Sequence, residues 1–167
     1  SLAVGRTERQ LSMHKDQIAA IRLRNQRIVG EKFKTPEAVV KHLLAVQAQD
    51  YTGALWALGL RSEKATEELV EKALKNKKIV RTWPMRGTLH FVAAEDARWL
   101  LELLVPKVMG GYPLRHARFG LTDKIFDRCR ALVTRSLKGG KQLTRPALYE
   151  IFEKDGIDTA NSRGLHI

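Results

Sequence analysis

A single change of hydrophobic period limits what this chain can fold into. Between about His14 and Lys75, apolar residues recur every three or four positions, the spacing of helices packed on one side. From Ile79 to Val92 that period is lost. The stretch is rich in Val, Thr, Trp and Phe, which suit a pleated, half-buried surface. Pro84-Met85-Arg86-Gly87 interrupts it, so a β-hairpin with a Pro- and Gly-marked turn is expected. Several helices followed by one hairpin is the winged-helix arrangement, in which the helices form the core and the hairpin is the wing. The expected fold is mainly α with a β-hairpin wing.

Start signals place the helices. The first covers about His14 to Ile28, with Ile18 and Ile21 on its apolar side and Arg22, Arg24 and Arg27 on its basic surface. Thr35-Pro36 supplies the N-cap and first position of the second helix, which carries Val39, Val40, Leu43 and Leu44. Asp50 reads as the cap of a short third helix holding Leu55, Trp56 and Leu58. A fourth, about Thr66 to Lys75, aligns Leu69, Ala73 and Leu74. After the hairpin, Glu95 to Val108 is expected to be helical, with Pro106 kinking or ending it.

Gly110-Gly111-Tyr112-Pro113 then reads as a linker. Ile125, Cys129, Leu132 and Val133 form the stripe of a further helix that Gly139-Gly140 ends. Thr144-Arg145-Pro146 opens another carrying Leu148, Ile151 and Phe152, Gly156 makes a turn, and a last helix is expected from Thr159 to Ile167. This repeats the three-helix plan without a wing, giving a tandem helix-turn-helix organisation. The expected division is a leader or remnant over 1–12, a winged-helix unit over 13–92, a connecting helix and linker over 93–120, and an incomplete second winged-helix unit over 121–167. That last unit reads as part of a longer protein. With Leu165 and Ile167 uncovered, it is also expected to self-associate.

Composition bears on partners. Lys plus Arg is 30 and Asp plus Glu is 18, a formal net charge of +12. Such an excess suits a polyanion, because cationic side chains neutralise phosphates and release condensed counterions. It also fits a chain whose charge only keeps it dissolved. Cys129 is the single cysteine, so no internal disulfide forms, as in a reducing compartment; the expected location is the cytoplasm, beside the nucleoid. No apolar run approaches the roughly 20 residues of a membrane span. His14, His42, His90, His116 and His166 lack metal-ligand spacing, and there is no Gly-rich phosphate loop or Ser/His/Asp arrangement. No metal and no cofactor are expected.

Val46-Gln47-Ala48-Gln49-Asp50 is the most informative stretch. Gln47 lies four residues after Leu43 and seven after Val40, and so falls on the apolar stripe of a continuing helix. A primary amide left unpaired there is costly, so it must be satisfied locally or face a polar pocket. In a helix, Gln47 and Gln49 diverge by about 200°. In an extended segment they share a side. If the helix ends near Gln47, as the following Asp cap suggests, the two amides can converge. The pattern alone fits equally two glutamines satisfying backbone groups at a helix end.

Arg22-Leu23-Arg24-Asn25-Gln26, Val46-Gln47-Ala48-Gln49 and Thr82-Trp83-Pro84-Met85-Arg86-Gly87-Thr88-Leu89-His90 together resemble the signature blocks of the AlkZ/YcaQ family. These are bacterial DNA glycosylases built from tandem winged helices, acting on alkylated bases and interstrand crosslinks. The resemblance covers most of the chain from His14 onward. It implies hydrolysis of the N-glycosidic bond of N7-alkylated purines by a monofunctional glycosylase, with Gln47 and Gln49 catalytic. Family members carry Gln-x-Gln or Gln-x-Asp there, and this chain has the first form. It implies damaged duplex DNA as partner. The family's DNA-contacting hairpin from a later domain is absent here.

Other residues carry two readings. Arg81, Arg86 and His90, on or beside the wing, could meet phosphates or the minor groove. Alternatively, Arg86 closes the turn and His90 packs between strands. Arg22, Arg24 and Arg27 line a DNA surface or a solvated face. Asp50 is a helix cap, with a catalytic role its rival. Trp56, Trp83 and Trp99 are expected in the core. A winged-helix DNA-binding module without catalysis, such as a transcription regulator, is the alternative function.

Overall fold

The computed structural model describes residues 14–64, 66–110 and 112–167. The leader read over 1–12, Met13, and Gly111 of the expected linker lie outside the described residues. In chain order the elements are α1 (Lys15–Asn25), α2 (Pro36–Leu43), β1 (Ala45–Gln47), α3 (Tyr51–Gly59), α4 (Glu67–Lys75), β2 (Ile79–Met85), β3 (Thr88–Ala93), α5 (Ala97–Met109), α6 (Tyr112–Arg118), α7 (Asp123–Ser136) and α8 (Arg145–Lys154). The chain divides into two compact units, Ser1–Val105 and Pro106–Ile167. Among the described residues, no helix is long and apolar enough to cross a membrane.

The first unit is a winged helix. Thr35 caps α2 by accepting from the Ala38 N–H at 3.3 Å, with Pro36 leading the helix. Leu44 then takes a φ of +67°, which stops the helix within one residue. Ala45–Gln47 continues as an extended strand on the hairpin. Gln47 therefore does not sit on a helical stripe; the expectation of a helix reaching it is corrected. The wing itself pairs β2 with β3, and β1 pairs with the other edge of β3, giving the antiparallel order β1-β3-β2.

The hairpin turns at Arg86-Gly87, with φ of +53° and +66° and Met85 opposite Thr88. A two-residue turn with both central φ positive matches the twist of the strands. The turn is thus shorter than the expected Pro84–Gly87, because β2 runs on to Met85. Buried Pro84 occupies an irregularity between Thr82 and Met85, where a missing N–H interrupts no regular ladder.

Val39, Val40, Leu58, Val70, Ile79 and Phe91 form the centre of this unit's core. The tryptophans do not join it. Trp56, Trp83 and Trp99 are 69%, 47% and 42% exposed, which overturns the expectation of three core residues. Nor does α1 bury a residue: Ile18 and Ile21 are exposed. It ends at Asn25, short of Ile28, where Arg27 takes a φ of +55°. Buried Arg61 holds the following turn, donating to the Gln26 carbonyl at 2.8 Å, to Gln26 Oε1 at 3.0 Å and to the Ala57 carbonyl at 2.7 Å.

In the second unit, Cys129, Leu132, Phe152 and Ile157 are the buried centre, with Ile167 packed against it. Thr144 caps α8 through the Ala147 N–H at 3.4 Å. The Tyr112-Pro113 pair, read as linker, instead opens α6, and α5 runs through Pro106 to Met109. The final helix expected from Thr159 is absent. Asn161 and Ser162 take positive φ, and only a short 3-10 turn, Arg163–Leu165, comes after them. Among the described residues this unit has no strand.

Candidate active site

Strand β1 decides where the two glutamines go. Val46 and Ala48 are buried while Gln47 and Gln49 are exposed, the alternation of an extended segment lying on a core. Both amides therefore share the outer side, as the extended alternative requires. Gln47 lies opposite His90 on the central strand, and His90 lies opposite Thr82.

Gln49 is anchored. Its Oε1 accepts from the backbone N–H of Leu89 at 3.2 Å. Because that donor is a main-chain N–H, the oxygen end of the amide faces the strand, and the NH₂ group faces away from Leu89. Immediately afterwards Asp50 caps α3, its Oδ1 accepting from the Gly53 N–H at 3.1 Å. A Cβ on Gly53 would stand 2.4 Å from Asp50 Oδ2, so a glycine is what leaves the carboxylate room to cap. Asp50 thus acts as the cap read from the sequence.

The remaining candidates scatter. His90 is 2% exposed, with Nδ1 2.9 Å from the Thr88 carbonyl. A carbonyl only accepts, so the bond places the proton on Nδ1. The ring starts on the same face of the sheet as Gln47 but is buried there, with no open surface to offer DNA. Arg86 is exposed at the tip of the wing. Arg22 and Arg24 are exposed on α1, while Arg27 lies 5.5 Å above the Phe33 ring and 3.8 Å from Glu31. Arg81, expected to face DNA, donates from Nε and Nη2 to the Ala48 carbonyl at 3.0 and 2.7 Å, and from Nη2 to the Gln49 carbonyl at 3.3 Å. Its guanidinium lies 5.3 Å from the centre of the Tyr51 ring, and burial pushes the Tyr51 phenol up in pKa. Tyr51 in turn meets core residue Phe91 edge-on at 5.9 Å. Among the described residues no group of three His, Cys, Asp or Glu could hold a metal.

The contacts around the pair leave no local mark in the sequence. Nothing local marks Leu89 as the donor to Gln49, or Arg81 as the donor to its backbone. The one available signal was the extended alternative for Gln47 and Gln49, which puts the two on one side of the chain.

Fold and site together define a winged-helix protein with two outward-facing glutamines on the strand added to its wing. The chain belongs to the AlkZ-like DNA glycosylase family, whose model matches residues 40–165. It is 31% identical over 88 residues to an interstrand DNA cross-link repair glycosylase of Streptomyces sahachiroi, a match covering 53% of this chain and 24% of that protein. The solved structure of Streptomyces sahachiroi DNA glycosylase AlkZ shares its fold, with a TM-score of 0.69 and 24% identity over 90% of this chain and 42% of that one. In both comparisons the chain spans less than half of the relative.

Proposed function

We propose that this chain carries the catalytic residues of a monofunctional DNA glycosylase that hydrolyses the N-glycosidic bond of N7-alkylated purines in duplex DNA, with interstrand crosslinks as a further substrate. The observation that carries the reading is the shared outward side of Gln47 and Gln49, with Gln49 held by the Leu89 N–H. Family membership supports the reaction class, and the net charge of +12 supports the polyanionic partner. The nucleoid in the cytoplasm is the corresponding place of action.

The chemistry suits mild side chains. An N7-alkylated purine is already cationic. As the C1′–N9 bond breaks, its electron pair moves to the base, which leaves neutral. Water adds to the oxocarbenium-like C1′ and loses its proton to solvent. Glutamine is no base near neutral pH, but a fixed amide dipole can orient that water and face the developing positive charge. Of the two, Gln47 is the free amide in this reading and can turn its carbonyl toward the sugar, while the second lone pair of Gln49 Oε1 accepts a hydrogen of the water.

The test is single-turnover release of N7-methylguanine, with duplex affinity measured separately, on this chain and on a longer chain that includes it. Gln47→Ala and Gln49→Ala should each lower release by about 10²–10³, the usual loss for one preorganised dipole. Affinity should hold, because it comes from Lys and Arg elsewhere. Gln49→Asp should keep substantial activity, since a carboxylate there gives the Gln-x-Asp form and still accepts a hydrogen bond from water. Wild-type rates in both alanine variants would overturn the assignment. Salt-sensitive duplex binding with no base release from either chain would favour a DNA-binding module instead.

A further inference from the structure

The sheet ladder contains a substitution next to Gln49. Continued one residue past Gln47↔His90, the β1–β3 register would set Ala48 opposite Leu89, and the Ala48 N–H does donate to the Leu89 carbonyl at 2.7 Å. In an antiparallel pair of this kind the two residues exchange both bonds, so the Leu89 N–H should return to the Ala48 carbonyl. It does not. The Leu89 N–H goes to the Gln49 side chain, and the Ala48 carbonyl goes to Arg81. One main-chain bond has been replaced by three bonds to side chains, two from Arg81 and one to Gln49.

Arg81 is built to make this exchange. It stands on β2, opposite Phe91 of the central strand, which stands opposite Val46 of β1. Directly opposed residues share a face, so Arg81 starts on the face of Val46 and Phe91. It spans the width of the central strand to reach β1, a distance of about two strand spacings, roughly 10 Å, that an extended arginine can bridge from its own strand. The Tyr51 ring supports the guanidinium on the way.

We infer that Arg81 is a positioning residue for the site: by occupying the Ala48 and Gln49 carbonyls it keeps the Ala48–Leu89 bond open, which frees the Leu89 N–H to fix the Gln49 amide. Without the guanidinium, the Ala48 carbonyl is left unpaired and can close onto the Leu89 N–H, displacing Gln49 Oε1. The catalytic consequence rests on the glycosylase reading above; the structural consequence does not.

The test combines two readouts on Arg81→Met and Arg81→Lys. In the first, NMR of this chain follows the Leu89 backbone amide and the Gln49 side-chain amide. Both signals should move in Arg81→Met, and less in Arg81→Lys, which keeps one donor nitrogen but loses the fork, while Val39 in the core stays in place. In the second, base release at saturating duplex should fall about tenfold to a hundredfold in Arg81→Met, the scale of a misplaced catalytic group, with affinity within about twofold. Arg81→Lys should recover part of the rate, and Arg81→Met should cost little further in a Gln49→Ala background. Unmoved Leu89 and Gln49 signals would overturn the inference. So would weakened affinity, a salt slope lower by about one and an unchanged saturated rate, the signature of a phosphate contact. If neither this chain nor the longer chain that includes it releases base, the glycosylase reading fails while the NMR arm still decides the role of Arg81.

Discussion

The two units start alike and finish differently. In each, a threonine-capped helix led by proline, α2 or α8, packs its apolar stripe on a core. The chain leaving α2 is caught by the free edge of the wing and becomes β1. The chain leaving α8 turns at Gly156 and runs irregularly up to a short 3-10 turn. The difference shows what makes a site here. A helix end alone leaves amides wherever the local chain puts them. A hairpin edge holds the same length of chain extended, buries alternate residues, and turns the other two outward together. The glutamines share one outward side because of the wing.

The comparison can be broken by removing one core at a time. The chain has its own reporters, since Trp56, Trp83 and Trp99 lie in the first unit and Cys129 in the second. Phe91 is fully buried at the centre of the wing, and Phe91→Ala should cost about 3–5 kcal/mol, loosening β1 with it. Phe152→Ala removes one of the few buried side chains of the second unit, a loss of similar size against a smaller reserve. That variant should expose Cys129 to alkylation while tryptophan emission keeps its native spectrum. Coincident loss of both signals in denaturant would show that the units unfold as one, and the comparison would fail.

A smaller effect comes with pH. Burial pushes the Cys129 thiol above its ordinary value of 9.0. The folded unit therefore keeps its proton where the unfolded chain has begun to lose it. This contribution to stability is complete below the unfolded pKa and fades as pH rises through the higher folded one. Alkylation at mildly alkaline pH should be slow in the folded chain and fast in denaturant. Denaturation of the second unit should become easier above about pH 9, with no matching change in tryptophan emission from this thiol. Equal alkylation rates folded and unfolded would show the thiol to be accessible.

The smallest effects sharpen the comparison at the helix starts. Thr35 and Thr144 each accept a capping bond, whereas Thr122, ahead of α7, makes none. Thr35→Ala and Thr144→Ala should each cost about 1 kcal/mol, each read by its own unit's reporter, and Thr122→Ala much less. Asp50→Asn should be near neutral, because asparagine caps as well as aspartate. A large loss of base release in Asp50→Asn would instead move the catalytic assignment from Gln49 to Asp50.

The local chemistry of the chain by itself determined the caps at Thr35 and Asp50, the helix starts near Thr66 and Thr144, the change of period at Ile79, and a Gly-marked turn in the wing. Each is decided by residues within about a turn of one another, so each is legible in one dimension. The family blocks made Gln47 and Gln49 candidates on the same terms. Only the tertiary structure decided that Gln47 belongs to a strand. Three residues carry too weak a periodicity to declare themselves, and their hydrogen bonds come from β3, far along the chain. For the same reason Arg81 read as a surface cation. Its partners at Ala48 and Gln49 lie 33 and 32 residues away, and a guanidinium satisfied by carbonyls looks, in sequence, like one that faces phosphate. The tryptophans were misplaced for the complementary reason: apolar character states a preference for burial, but whether a partner surface exists to cover the ring is settled by packing.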